Sequence, residues 1–100
     1  MIQVKKLIWD SWNNKHITRH KITTEEVEAV CHGVVLILQG QQKGRLLLTG
    51  STEKKRMISV VLESLGHGNY YPITAYDADS KDITLYNRLK GGGNNETDKD

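Results

Sequence analysis

The sequence contains no phenylalanine and only one cysteine, one proline and two tryptophans. These low counts exclude several classes of protein. A single cysteine cannot form a disulfide within the chain, which excludes a small disulfide-stapled scaffold. Because aromatic residues make up only 6% of the chain, the core has to be built from Leu, Ile and Val. No apolar run is long enough to cross a membrane and no signal peptide is evident, so we expect a cytoplasmic protein without a membrane partner.

The net charge of +2 combines two basic blocks with acidic clusters elsewhere. Residues 1–22 contain five Lys or Arg and one acid, Asp10, and residues 43–56 contain five Lys or Arg and one acid, Glu53. Phosphate attraction follows the local field, so either block could bind an anionic polymer. Ordinary solvated surface charge explains the same pattern, and composition alone favours that alternative.

Two capping signals predict a pair of helices near the start of the chain. Asp10 is a good N-cap for a helix over residues 11–20, in which we expect Trp12 to pack inward. Thr23 and Glu26 form a capping box, which predicts a second helix over residues 24–31. Its apolar stripe includes Cys31, and a buried cysteine of this kind is usually inert.

The remainder of the chain is rich in short β-type runs. We predict a short first strand within residues 4–9, then strands at 34–38, 45–51, 56–65 and 70–76, and a short final helix ending near Leu89. Pro72 has no N–H to donate, which favours an edge position for the last strand. Residues 1–90 are therefore predicted to form one domain, with 91–100 as a disordered tail.

These elements predict an α+β fold with two N-terminal helices, an antiparallel sheet of about four strands plus a short first strand, and a short C-terminal helix. The chain also carries a set of short motifs in a fixed order: Trp9-Asp10, Asn14-Lys15-His16, Arg19-His20, the run from Thr23 to Glu28, Gly44-Arg45, Thr49-Gly50 with Thr52, Arg56, the run from Tyr70 to Ala75, and Leu85-Tyr86. In these residues it resembles the BrnT family of toxins from bacterial type II toxin–antitoxin systems.

The resemblance implies a RelE-like fold, metal-independent RNA cleavage without a cofactor, and neutralisation by a ribbon-helix-helix antitoxin. The chain departs from the family pattern at two expected arginines, where it has Tyr76 and Ile83, and at an expected glutamate, where it has Asp82. A degenerate, non-catalytic binding protein is therefore the alternative to a working toxin. The sequence also leaves a homodimer open.

Cleavage of this kind needs a cation at the phosphate and groups that transfer protons. Arg56 and Arg45 are the candidate phosphate contacts, because a guanidinium fork matches two phosphate oxygens. His20 is a candidate acid or base, since imidazole titrates near neutrality. Tyr76 could donate a proton but cannot supply a permanent charge.

We assign RNA contacts to a further set that combines loop cations with residues of the last helix: Lys54, Lys55, Tyr86 and Arg88. For Tyr86, packing is the alternative to stacking on a base. His16 and His20 have the spacing of metal ligands, but the sequence has no third ligand to complete a zinc site, so we predict no metal.

Overall fold

The computed structural model describes residues 4–40 and 43–95, with the side chains of these residues up to residue 89. Its elements, in chain order, are β1 (Lys6–Leu7), α1 (Ser11–Thr18), α2 (Thr24–Cys31), β2 (Val35–Gln39), β3 (Arg45–Ser51), β4 (Met57–Gly66), β5 (Asn69–Asp77) and α3 (Ser80–Asn95). The predicted α+β class and order of elements are confirmed.

The five strands form one sheet in the order β1-β5-β4-β3-β2. Strands β2 to β5 are an antiparallel meander, as predicted, whereas β1 pairs in parallel with the start of β5. The β4–β5 turn has positive φ at both His67 and Gly68, which is the backbone that a tight two-residue hairpin requires.

Strand β5 lies between β1 and β4, so the prediction that the last strand is an edge strand is wrong. However, β1 pairs only with Asn69 and Tyr70. Pro72 lies beyond that pairing and beside an irregularity in the β4–β5 register. A residue without an N–H is tolerated there because one side of β5 is no longer paired.

Both predicted N-terminal caps are present. The Asp10 carboxylate accepts from the backbone N–H of Asn13, and the Thr23 hydroxyl accepts from the backbone N–H of Glu26. Each N3 side chain also accepts from the backbone N–H of its N-cap residue, which completes two capping boxes.

Helix α1 presents a different face to the sheet from the one predicted. Trp12 is 56% exposed, while Asn13 and Ile17 are fully buried. Burial of the Asn13 amide is tolerated because its side chain accepts from the Asp10 N–H and donates to the Ile8 carbonyl. The expectation that Trp12 packs inward is therefore wrong.

The core lies between the sheet and helices α1 and α2, and it is aliphatic as expected. Its fully buried members include Ile17, Val27, Leu48, Ile58 and Val60. Gly50 faces this layer, since a Cβ there would lie 3.2 Å from Val30 Cγ1. Successive strand residues point to opposite faces, so Thr49 points to the other side.

Helix α3 contacts β2 and β3. The Asp79 carboxylate caps it by accepting from the backbone N–H of Asp82. The helix continues through residues 91–95, the first half of the predicted tail, and residues 96–100 lie outside the described part of the chain. The division into a domain and a tail stays a prediction. No helix of the described residues is long and apolar enough to span a membrane.

Candidate functional site

Arg56 stands at the end of a tight turn that precedes β4. Its backbone N–H donates to the Thr52 hydroxyl and its carbonyl accepts from the Thr52 N–H, at 3.1 and 2.9 Å. Lys55, whose N–H closes the turn by donating to the Thr52 carbonyl, has a φ of +66°. The turn therefore fixes where the Arg56 side chain begins.

The Arg56 guanidinium is held by three partners from distant parts of the chain. Its Nε donates to Asp77 Oδ1 at 2.9 Å, and its Nη1 donates to the Lys21 carbonyl at 2.9 Å and to Glu26 Oε1 at 3.3 Å. The hydrogen bond to Asp77, together with both carboxylate charges, raises the pKa of Arg56 above its ordinary value. We refer to Arg56, Asp77, Glu26 and the Lys21 carbonyl as the arginine clamp.

The arginine clamp joins the α1–α2 connection to the end of the sheet. Lys21 lies in that connection with a φ of +63°, and Glu26 belongs to the first turn of α2. Because Glu26 also completes the capping box of α2, one carboxylate orients both a helix start and a guanidinium. The geometry thus gives Arg56 a structural role.

A surface groove of about 530 Å³ runs beside the clamp. The charged side chains that line it include three cations and three acids: Lys21, Lys54, Arg56, Glu25, Glu26 and Glu53. The groove is therefore close to electrically balanced. Among the described residues, Arg56 Nη2 has no hydrogen-bond partner, which leaves that nitrogen for a phosphate oxygen.

Arg45 and Arg56 do not lie together. Arg45 begins β3, whereas Arg56 precedes the residue of β4 that pairs with Ser51 at the end of β3. A seven-residue strand separates these ends by roughly 20 Å. The two candidate phosphate contacts therefore belong to different sites.

Arg45 instead shares a second cavity with Tyr76, on the sheet face that α3 partly covers. This cavity measures about 340 Å³ and also includes Leu47, Val61 and Thr74. The carboxylate that pairs with Arg45 is Glu63, whose Oε1 lies 3.9 Å from Nη2. Arg45 is thus less tightly held than Arg56.

Tyr76 lies among acids. It is 38% exposed, and partial burial followed by the nearby charges of Asp82 and Asp79 raises the pKa of its phenol. A raised pKa makes the hydroxyl a poorer acid, which weakens its case as a proton donor. The neighbouring Asp77 points to the opposite face of the sheet and joins the arginine clamp.

His20 lies at the exposed end of α1, beyond its last helical residue. Its ring meets the ring of His16 edge-on at 5.4 Å, and His16 stacks on Trp12. Its chain neighbour Lys21 is the residue whose carbonyl binds Arg56. Among the described residues, no group of three potential metal ligands occurs.

The remaining candidates differ in accessibility. Lys54, Lys55 and Arg88 are exposed, whereas Tyr86 is only 4% exposed. A base cannot stack on a ring buried to that degree, so the structure favours packing for Tyr86. Cys31 is buried, and burial followed by the charge of Glu28 raises its pKa to about 12.

Sequence reasoning missed Asp77, Glu26 and the Lys21 carbonyl as partners of Arg56. They lie 21, 30 and 35 residues from Arg56, so no local spacing could indicate them. The capping box identified Glu26 for a local role only.

Comparison with known proteins identifies the fold. The structure superposes on the crystal structure of the Brucella abortus ribonuclease toxin BrnT with a TM-score of 0.60 and 19% sequence identity. The match covers 75% of this chain and 97% of the toxin. At that identity the likeness shows a BrnT-like fold, which confirms the expected fold class.

In sequence, the chain is 29% identical over 90 residues to one subunit of an ATP-dependent helicase/deoxyribonuclease from Natranaerobius thermophilus. That match covers 80% of this chain but 8% of the length of that much longer protein. No family model matches the sequence. What the comparisons establish for this chain is therefore an α+β domain of the BrnT-like fold.

Proposed function

We propose that this chain is a ribonuclease-type toxin of a toxin–antitoxin pair, and that a small ribbon-helix-helix antitoxin neutralises it. The observation that carries the proposal is the BrnT-like fold, which a ribonuclease toxin shares over almost its whole length. The order of the capped helices and of the sheet agrees with it.

The proposed reaction is attack by an RNA 2′-oxygen on the adjacent phosphorus, with cleavage of the bond to the 5′-oxygen. Charge that builds on the phosphoryl oxygens needs a fixed cation. Arg56 is preorganised by its clamp and lines the groove together with Lys54. Lys55, in the same turn, adds positive field.

Proton transfer in this scheme is assigned to His20. His20 directly precedes Lys21, whose carbonyl accepts from Arg56 and which lines the groove, and this closeness along the chain supports the assignment. Arg45 and Tyr76 lie in the second cavity, on the opposite face of the sheet. We therefore assign them to RNA contact outside the reacting centre.

A non-catalytic BrnT-like binding protein is the second candidate, and two observations favour it. The clamp surrounds Arg56 with two carboxylates, which reduces the field that it offers to a phosphate. In addition, Tyr76 stands among Asp79 and Asp82 where the family resemblance implies an arginine.

Regulated expression in bacteria tests the proposal. The wild-type chain is expected to arrest growth and degrade bulk RNA. Arg56→Lys keeps a cation but loses the fork, so it should relieve the arrest. Asp77→Asn is the matched control, because it weakens the clamp and leaves the guanidinium in place.

Equal relief by Arg56→Lys and Asp77→Asn, with both proteins poorly folded, would assign Arg56 a structural role only. Normal growth with abundant, folded wild-type protein would support the second candidate. Co-expression of a ribbon-helix-helix protein encoded beside this gene should restore growth. Failure to restore growth would remove that protein as the antitoxin.

A further inference from the structure

The exposed face of α1 and the turn that follows it carry a row of three aromatic rings. Trp12 and His16 stack at 5.0 Å between ring centroids with their planes 6° apart, and His20 meets His16 at 5.4 Å and 76°. The spacing of four residues places the rings on one side of the helix. An indole that is 56% exposed still presents a large free surface to solvent.

A row of cations runs beside the rings. Lys15 and Arg19 are both exposed and lie three residues from Trp12 and His16 respectively, so each neighbours a ring on the helix surface. Neither takes part in the ion pairs found among the described residues. Within α1 itself there is no acid, and the Asp10 carboxylate at its cap accepts from Asn13 and from the Tyr71 hydroxyl.

Exposed rings flanked by cations that have no ion-pair partner within residues 4–40 and 43–95 suit single-stranded nucleic acid. Unpaired bases stack on exposed aromatic faces, and the backbone phosphates bind the neighbouring cations. A duplex keeps its bases stacked on each other and cannot use an indole in this way. The stack with His16 also orients the indole in advance, which lowers the entropy lost on binding.

We propose that the face formed by Trp12, His16, Lys15 and Arg19 is a binding platform for single-stranded RNA, in which a base stacks on the Trp12 indole. The choice of RNA rests on the proposed function. The platform lies on α1, and its His16 ring contacts the ring of His20, to which we assign proton transfer. Its four residues bind and orient RNA next to the reacting groups and take no part in cleavage.

The test is fluorescence anisotropy with a labelled 2′-O-methyl RNA of about 10 nucleotides. This probe has no free 2′-OH and so cannot be cleaved by 2′-oxygen attack, which separates binding from catalysis. We expect Trp12→Ala to weaken binding by roughly 5- to 100-fold, the loss of one stacked base. Trp12→Phe should restore much of the affinity, and a duplex of the same length should bind more weakly than the single strand.

Two exposed positions elsewhere provide matched controls. Val34→Ala removes apolar surface from a residue that is 61% exposed and should leave binding unchanged. The salt dependence of binding is the slope of the logarithm of the binding constant against the logarithm of the salt concentration. In the double variant Lys15→Gln, Arg19→Gln, the magnitude of this slope should fall by about 0.7 for each lost phosphate contact. Lys81→Gln, an exposed lysine of α3, should not change it. Thermal melting verifies that each variant is folded.

Wild-type affinity in folded Trp12→Ala protein would overturn the platform, as would equal dependence on Trp12 for the single strand and the duplex. If sedimentation shows a dimer that Trp12→Ala dissociates while RNA affinity is unchanged, the face is an interface between copies and the platform is overturned. Trp12-dependent binding without cleavage of unmodified RNA would support the platform and refute the proposed catalysis. Cleavage of unmodified RNA, together with binding that does not depend on Trp12, would refute the platform and support the proposed catalysis.

Discussion

Substitution of Arg56 by alanine should destabilise the protein whether or not Arg56 acts on RNA. The change removes two partly exposed ion pairs, each worth about 0.2–1 kcal/mol. It also removes a charge-assisted hydrogen bond to the Lys21 carbonyl, worth about 1.5 kcal/mol. The sum is about 2–3.5 kcal/mol, which corresponds to a decrease in Tm of roughly 8–28 °C for a domain of this size.

Thermal and urea unfolding followed by circular dichroism measures this loss. Asp77→Ala should lower the free energy of unfolding by only about 0.5 kcal/mol, because the Asp77 side chain is 70% exposed. The double variant Arg56→Ala, Asp77→Ala should be hardly less stable than Arg56→Ala alone, because the single substitution already removes the ion pair between Arg56 and Asp77. An unchanged Tm in Arg56→Ala would refute the clamp as a structural element. In that case, a loss of toxicity on expression of Arg56→Ala would report directly on catalysis.

Three further predictions concern other parts of the chain. Thr23→Ala removes the N-cap of α2 and should lower the free energy of unfolding by about 1 kcal/mol in urea titrations, whereas an unchanged midpoint would contradict the capping box. Cys31, with a pKa raised to about 12 from the ordinary 9.0, should resist thiol reagents in the folded protein. Because the unfolded thiol ionises first, stability should fall as pH rises above about 9, and rapid labelling of folded protein at neutral pH would contradict its burial. Tyr76→Arg supplies a cation beside Asp79 and Asp82 and should tighten RNA binding in anisotropy titrations, while unchanged affinity would remove the second cavity as an RNA contact.

Local signals in the sequence predict much of the fold. The capping box and the following His32-Gly33 predict α2 over residues 24–31, which are its bounds in the structure. The bounds of β3 are also those predicted, because a turn containing Gly44 starts it and a polar segment follows it. Such signals act within a few residues and do not depend on the rest of the chain.

The orientation of α1 and the arginine clamp could not be predicted in the same way. Trp12 and Asn13 both begin stripes at helical spacing, and hydrophobicity favours the wrong one. The buried side of α1 is the side that carries Asn13. Its side-chain amide accepts from the Asp10 N–H at the helix cap and donates to the Ile8 carbonyl, so it is satisfied when buried. The clamp depends on residues that only the folded sheet brings next to Arg56.

Incubation of purified wild-type protein with single-stranded RNA in EDTA tests the proposed ribonuclease function most directly. We predict cleavage without metal that leaves 5′-hydroxyl ends, and a large loss of rate in folded Arg56→Lys protein, on the order of 10²–10³ for the loss of a preorganised hydrogen-bond donor. Intact RNA after prolonged incubation with folded wild-type protein, or cleavage that Arg56→Lys leaves unchanged, would contradict a reaction centred on the groove beside Arg56.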